Sequence, residues 1–218
     1  GGGLASSYEN LTLDGVVVTG NTSSNVGGGI ALFSYYEGDS VTIRNSTISN
    51  NTGTYGGGIY VADTGAPLVI VDSSITGNTA TAHGGGIYFY DPDYDVTIER
   101  TTISGNTAQG QRNRQPDGYL ASGDGGGIGF YSADGGTFRI VDSTISGNEA
   151  GDGGGVYMYD ADESFEIVNT TISGNTANDN GGGIAFYYSG DNSGRIAHST
   201  ITDNYSRGDG GGIYAYDG

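Results

Sequence analysis

The sequence predicts an all-β fold, a right-handed parallel β-helix in a single domain spanning residues 1–218, and three observations predict it. Glycine-led strands recur along the whole chain at a step of about 28 residues, as in Gly84-Gly85-Gly86-Ile87. Asparagines keep the same beat at Asn21, Asn51, Asn78, Asn106, Asn148, Asn175 and Asn204. No stretch carries the three-to-four-residue apolar spacing of an amphipathic helix, whereas apolar and polar residues alternate within each repeat. A fixed period whose unit is too small to enclose its own core defines a solenoid, in which each coil is covered by its neighbours. Three short strands per coil and about seven to eight coils follow from the repeat count. Each coil is a crossover between parallel strands of one sheet, so right-handed winding is expected.

The elements can be justified in order. On the glycine-led strand, period two turns Leu4, Ile30, Ile59, Ile87, Ile128, Val156, Ile184 and Ile213 inward. A second inward column follows at Leu32, Val61, Phe89, Phe130, Met158, Phe186 and Ala215. The strand before each asparagine contributes Val18, Ile48, Ile75, Ile103, Ile145, Ile172 and Ile201, and a further strand contributes pairs such as Val96 with Ile98. Each such side chain, once buried, stabilises the rod by roughly 1.5–3 kcal/mol. One step breaks the beat: an insertion at about 108–124, carrying Arg112, Arg114, Pro116 and Tyr119, is expected to project as a loop from one face.

Composition narrows the function. The chain of 218 residues holds 44 Gly and 17 Tyr with no Cys, and its formal net charge is -18. That field repels phosphate backbones and anionic lipid, so nucleic-acid partners are not expected. No apolar run is long enough for a membrane span, so membrane insertion is not expected either. Without thiols there is no disulfide framework. The chain opens in mid-repeat at Gly1-Gly2-Gly3-Leu4, which reads as a processed or excised segment.

The repeat resembles that of the polymorphic outer-membrane proteins, the autotransporter adhesins of chlamydiae, which carry a glycine-rich element with a following Ile and a later element ending in Asn. Here these are Gly84-Gly85-Gly86-Ile87 and Ile103-Ser104-Gly105-Asn106, with Ile in place of the family's Phe. The broader pectin-lyase-like group shares the fold. The resemblance implies an extracellular or cell-surface location and a structural or adhesive role. The same group also contains polysaccharide lyases and hydrolases.

Four sets of columns are candidates for function. The asparagines are expected to form an inward amide ladder with a structural role. Outward tyrosines fall in two rows, Tyr60, Tyr88, Tyr157 and Tyr214 beside Tyr90, Tyr131, Tyr159, Tyr187 and Tyr216, an aromatic stripe for sugar rings or a neighbouring rod. Thr and Ser rows, such as Thr102 and Ser104 or Thr144 and Ser146, are similar to the hydroxyl lattices of ice-binding proteins. Asp124, Asp152 and Asp209 each precede a triple glycine, and carboxylates one coil apart invite a bridging Ca²⁺, the one cofactor the sequence suggests. Sequons at Asn10, Asn45, Asn50 and Asn169 would admit N-glycosylation in a secreted chain. Catalysis is not expected, because the two histidines lie in different columns; Asp124 with Asp152 is the carboxylate pair a glycoside hydrolase would use. The reading is an extracellular rod whose copies stack end to end, with a polysaccharide-active enzyme as the rival.

Overall fold

The computed structural model describes every residue except 8–9, 34–39, 63–66, 93, 111–122, 134–135, 162–163, 188–193 and 217–218. The described residues contain strands and turns without a helix and wind into a parallel β-solenoid. The glycine-led sheet has eight strands, from Leu4–Ser7 to Ile213–Tyr216. A second sheet has seven, from Leu11–Asp14 to Gly194–Ala197, and a third has seven, from Val17–Thr19 to Thr200–Thr202. Every strand pairs in parallel with its counterpart one coil away, in chain order, so that Ile75 lies between Ile48 and Ile103.

Two details differ from expectation. A fourth sheet of six two-residue strands, Thr52–Gly53 to Tyr205–Ser206, follows the asparagines and makes the coil four-stranded. Six coils carry all four strands, so seven to eight is a slight overcount; in the first turn a lone bridge, Thr22 to Thr52, stands where the fourth strand would be.

Corners explain how so short a coil closes. One column of left-handed residues, including Asn45, Asp72, Asp142 and Asn169, turns the chain from the second sheet to the third, with φ between 49 and 52°. Asn and Asp tolerate this region better than other side chains do. In the triple glycine, the first residue has positive φ, as at Gly153 (φ 60°). The second and third have no room for a side chain: a Cβ on Gly155 would lie 2.5 Å from the Gly183 carbonyl oxygen.

The interior matches the alternation of the sequence. Ile30, Ile59, Ile87, Ile128, Val156 and Ile184 stack in one fully buried column, and Ile48, Ile75, Ile103, Ile145 and Ile172 in another. Phe89, Phe130 and Phe138 fill the middle, with ring centroids 4.8–5.8 Å apart. At the described ends the core is less covered: Leu4, Val18 and Ile201 are only partly buried, and Ile213 is 43% exposed. The expected insertion falls largely on residues outside the described set. Its feet, Gly110 and Gly123, meet on the rod, because a Cβ on Gly123 would run into the Gly110 backbone.

Candidate functional site: an aromatic groove on the glycine-led sheet

The asparagine ladder is internal. Asn78, Asn106, Asn148 and Asn175 are buried, and each amide bonds the next in one direction: Asn106 Nδ2 donates to Asn148 Oδ1 (3.0 Å), and Asn148 Nδ2 to Asn175 Oδ1 (2.9 Å). The Asn21 and Asn204 rungs close the two ends of the ladder, at Asn51 and Asn175. A second buried ladder escaped the sequence reading. Ser46, Ser73, Thr101, Ser143 and Thr170 each accept the backbone N–H of the preceding rung and donate to the carbonyl two residues earlier, as Ser143 does to Val141 O at 2.7 Å. Its signal was a Ser or Thr two residues before every inward Ile of the third sheet, hidden among the outward hydroxyls of the same segment. Those outward rows stand in register, with Thr102 opposite Thr144 and Ser104 opposite Ser146.

Both tyrosine rows lie on the outer face of the glycine-led sheet, yet they are built differently. In one row Tyr90, Tyr131 and Tyr159 are parallel, with centroids 5.9 and 4.8 Å apart and interplanar angles of 2 and 4°. Offset rings at this spacing share much of their faces with one another, so edges and hydroxyls turn outward more than flat faces do. The other row runs Tyr60, Tyr88, Gly129, Tyr157, Ala185, Tyr214, so two rungs lack a ring. At Ala185 the gap is closed by Tyr187, which packs 5.6 Å from Tyr157 and 5.4 Å from Tyr214. Its hydroxyl is held by Asp152 Oδ1 and Asn180 Nδ2, both at 3.1 Å. Tyr216 leans on Tyr187 at 6.1 Å and ends the stripe. At Gly129 the neighbouring Tyr88 leans over the glycine, its Cδ2 3.0 Å from where a Cβ would lie.

The turn before the triple glycine raises a second wall beside these rows. Tyr55 and His83 stack at 5.7 Å, and His83 lies 6.0 Å from Tyr88. Between the walls runs a groove of about 640 Å³, lined by Tyr55, Tyr60, Tyr88, Tyr131, Tyr157 and Asp124 among others. Burial first, and then neighbouring tyrosines and Asp124, push the Tyr88 hydroxyl well above the ordinary phenol range. Burial and the Asp124 charge do the same for Tyr157.

Two of the three aspartates bond to Asn180, and the third stands against His83. Asp152 accepts from the Asn180 backbone N–H (2.8 Å) and from Tyr187. The Asp209 backbone N–H donates to Asn180 Oδ1 at 2.9 Å. Asp124 stands beside His83, whose Nδ1 lies 3.2 Å from Asp124 Oδ2 and also 3.2 Å from the Asp124 backbone N–H. Among the described residues no three His, Cys, Asp or Glu side chains gather where they could hold a metal ion.

Burial, with help from Asp124 and Asp179, raises the Asp152 acid above its ordinary value. A raised acid penalises the ionised native state above its folded pKa, and the penalty disappears as the proton binds. Asp152→Asn keeps both acceptor bonds without the charge. It is expected to raise the urea midpoint at pH 7, and the gain should shrink as pH falls through the raised Asp152 pKa. A pH-independent gain would remove the charge from this account.

These features define a parallel β-helix with one aromatic face. The chain belongs to the right-handed β-helix family, whose model, described as a right handed beta helix region, matches residues 4–172. Residues 198–216 match the repeat of the Chlamydia polymorphic membrane protein family, across Ile201-Thr202-Asp203-Asn204 and the last triple glycine. Neither the curated proteins nor the solved structures yield a match.

Proposed function

We propose that the chain is a structural or adhesive rod of a cell surface, displayed outside the cell, whose tyrosine face contacts glycans or neighbouring rods. The observation that carries this reading is the stacked ladder Tyr90, Tyr131 and Tyr159, exposed at Tyr90 and Tyr131, running along an otherwise regular solenoid. The polymorphic membrane protein repeat at residues 198–216 supports the surface location. Beads coated with the protein should adhere to a glycan array or to immobilised rods, and Tyr90→Ser, Tyr131→Ser and Tyr159→Ser together should abolish this. Unchanged adhesion would sink the role of the stripe.

The rod also favours end-to-end stacking. The asparagine ladder is polar: among the described residues, the Asn204 backbone N–H donates to no further rung, and Asn21 Oδ1 accepts from none. A second copy placed head to tail would join this donor to this acceptor and cover Val18 and Ile213 in a contact that does not close. Light scattering of the 218-residue chain should show growth with concentration, blocked by Leu4→Asp; a monomer throughout would refute stacking.

A polysaccharide-active enzyme is the second reading. It is favoured by Asp124, which lines the groove, and Asp152, a raised acid one coil away. Release of reducing ends from acidic or neutral polysaccharides, lost in Asp124→Asn, would establish it.

A further inference from the structure

The missing ring at Gly129 is the one irregularity of the stripe that the rod does not repair. Gly129 is paired on one side with Tyr88 and on the other with Tyr157, so the backbones that carry these two rings stand two strand spacings apart, roughly 9.6 Å. A ring at the middle rung would fill that span. Tyr88 covers the glycine from its own side, its Cδ2 lying 3.0 Å from where a Cβ would be, and it makes no ring contact with Tyr157 among the described residues. The contrast with Ala185 is direct, since there Tyr187 swings across and is pinned by two hydrogen bonds.

The flank of this gap carries a carboxylate that pairs with no arginine among the described residues. Asp124 stands in the same coil as Gly129, and its side chain is only 13% exposed. Its Oδ1 is buried and has no hydrogen-bond partner among the described residues. With the Asp124 amide proton donated to His83 Nδ1, the lone pair of that nitrogen is engaged and no N–H points from it to the carboxylate. A carboxylate left this way costs stability unless a donor arrives. Both phenols that bound the gap feel this charge.

We infer that the gap at Gly129 is a slot for a planar cation, the guanidinium of an arginine side chain on a protein partner, stacked between Tyr88 and Tyr157 and hydrogen-bonded to Asp124. Guanidinium is flat, permanently charged, weakly hydrated and forked, so it stacks on tyrosine and pairs with a carboxylate at once. An ammonium is a compact, strongly hydrated point charge that gains less from a slot of one ring's thickness. The net charge of -18 draws such a partner in. This deepens the reading of the stripe as a contact face and assigns its most specific point.

The test uses the full chain and three capped peptides that differ at one residue: arginine, its neutral isostere citrulline, and lysine. Titration calorimetry at low salt should show arginine binding, lysine at least about tenfold weaker, and citrulline undetectable. Asp124→Asn should weaken arginine binding by about tenfold or more. Gly129→Tyr should abolish it by supplying the missing ring, with a thermal melt confirming a folded rod. Ala185→Tyr, at the gap already closed, should leave binding unchanged. Equal binding of citrulline, equal binding of lysine, or indifference to both Asp124→Asn and Gly129→Tyr would each overturn the slot. So would binding of a neutral trisaccharide there in place of arginine. Arginine binding that appears only after Arg112→Gln and Arg114→Gln would overturn the partner by showing that the chain fills its own slot. Bead adhesion that survives Gly129→Tyr leaves the adhesive reading standing and removes only the slot, whereas adhesion unaffected by loss of the tyrosine ladder removes the former.

Discussion

Gly154→Ala is expected to unfold the coils around it, at a cost above about 4 kcal/mol, a value reached only by severe backbone conflict. A Cβ at this position would lie 2.5 Å from the Thr176 carbonyl oxygen, 2.6 Å from the Gly182 carbonyl oxygen and 2.6 Å from the Thr176 carbonyl carbon. All three atoms are backbone of the next coil. They cannot withdraw, because the same coils are joined by Gly154 N–H to Gly181 O at 3.1 Å and Thr176 N–H to Asn148 O at 2.8 Å. Two other glycines calibrate the result. A methyl on Gly147 meets no atom within 4 Å but must adopt φ 62°, which costs about 1–2 kcal/mol. A methyl on Gly129 meets first a tyrosine ring that can swing, so its cost should stay within about 1 kcal/mol. Urea midpoints should therefore rank Gly154→Ala far below Gly147→Ala and Gly129→Ala. Near-equal midpoints for Gly154→Ala and Gly129→Ala would show that the coils do not approach so closely at the triple glycine.

This gradation also shows what a single sequence discloses. The inward columns were legible because period two is imposed by the pleat: Ile145 could not turn outward without carrying Thr144 and Ser146 inward. The asparagines were legible because they recur at one position of the coil. The fourth strand was not, since Thr176-Ala177 is too short to show alternation, and its pairing depends on where the corner at Gly174 aims the chain. The hydroxyl ladder was hidden because Ser and Thr serve equally well inside, bonded to backbone, and outside, in water. The stripe was legible as two rows of rings. What each ring does was not, because Tyr187 looks like any other member of its row until Asp152 and Asn180 draw it across Ala185. The groove depends on residues from four coils and from the turns beside them. No pattern of residue types announces a site whose defining feature is a side chain that is absent.

Asn148→Ala is expected to cost about 3 kcal/mol or more, because one amide serves two coils at once. Asn148 Oδ1 accepts from the Asn106 backbone N–H at 2.9 Å and from Asn106 Nδ2 at 3.0 Å. Its Nδ2 donates to Ile103 O at 3.1 Å and to Asn175 Oδ1 at 2.9 Å. Removing the amide does not harm every partner equally. Asn106 Nδ2 keeps its bond to Ile75 O, and Asn175 Oδ1 keeps the Asn148 backbone N–H. The Asn106 N–H loses its acceptor and Ile103 O loses one donor, both beside buried side chains, and the orphaned N–H alone costs about 1–3 kcal/mol. Ser146→Ala, on the outward row of the same coil, should stay within about 0.5 kcal/mol. Asn148→Asp tests direction as well as size: the carboxylate can still accept, but it cannot donate to Ile103 O or Asn175 Oδ1, and it places a charge where no cation stands. It should therefore destabilise more than the alanine variant above the carboxylate pKa, and the excess should fall as the pH is lowered and the acid protonates. Denaturant midpoints at pH 7 and pH 4 decide it. Should Asn148→Ala melt with Ser146→Ala, the ladder contributes no net stability; should Asn148→Asp equal wild type, its polarity along the rod is not fixed by these donors.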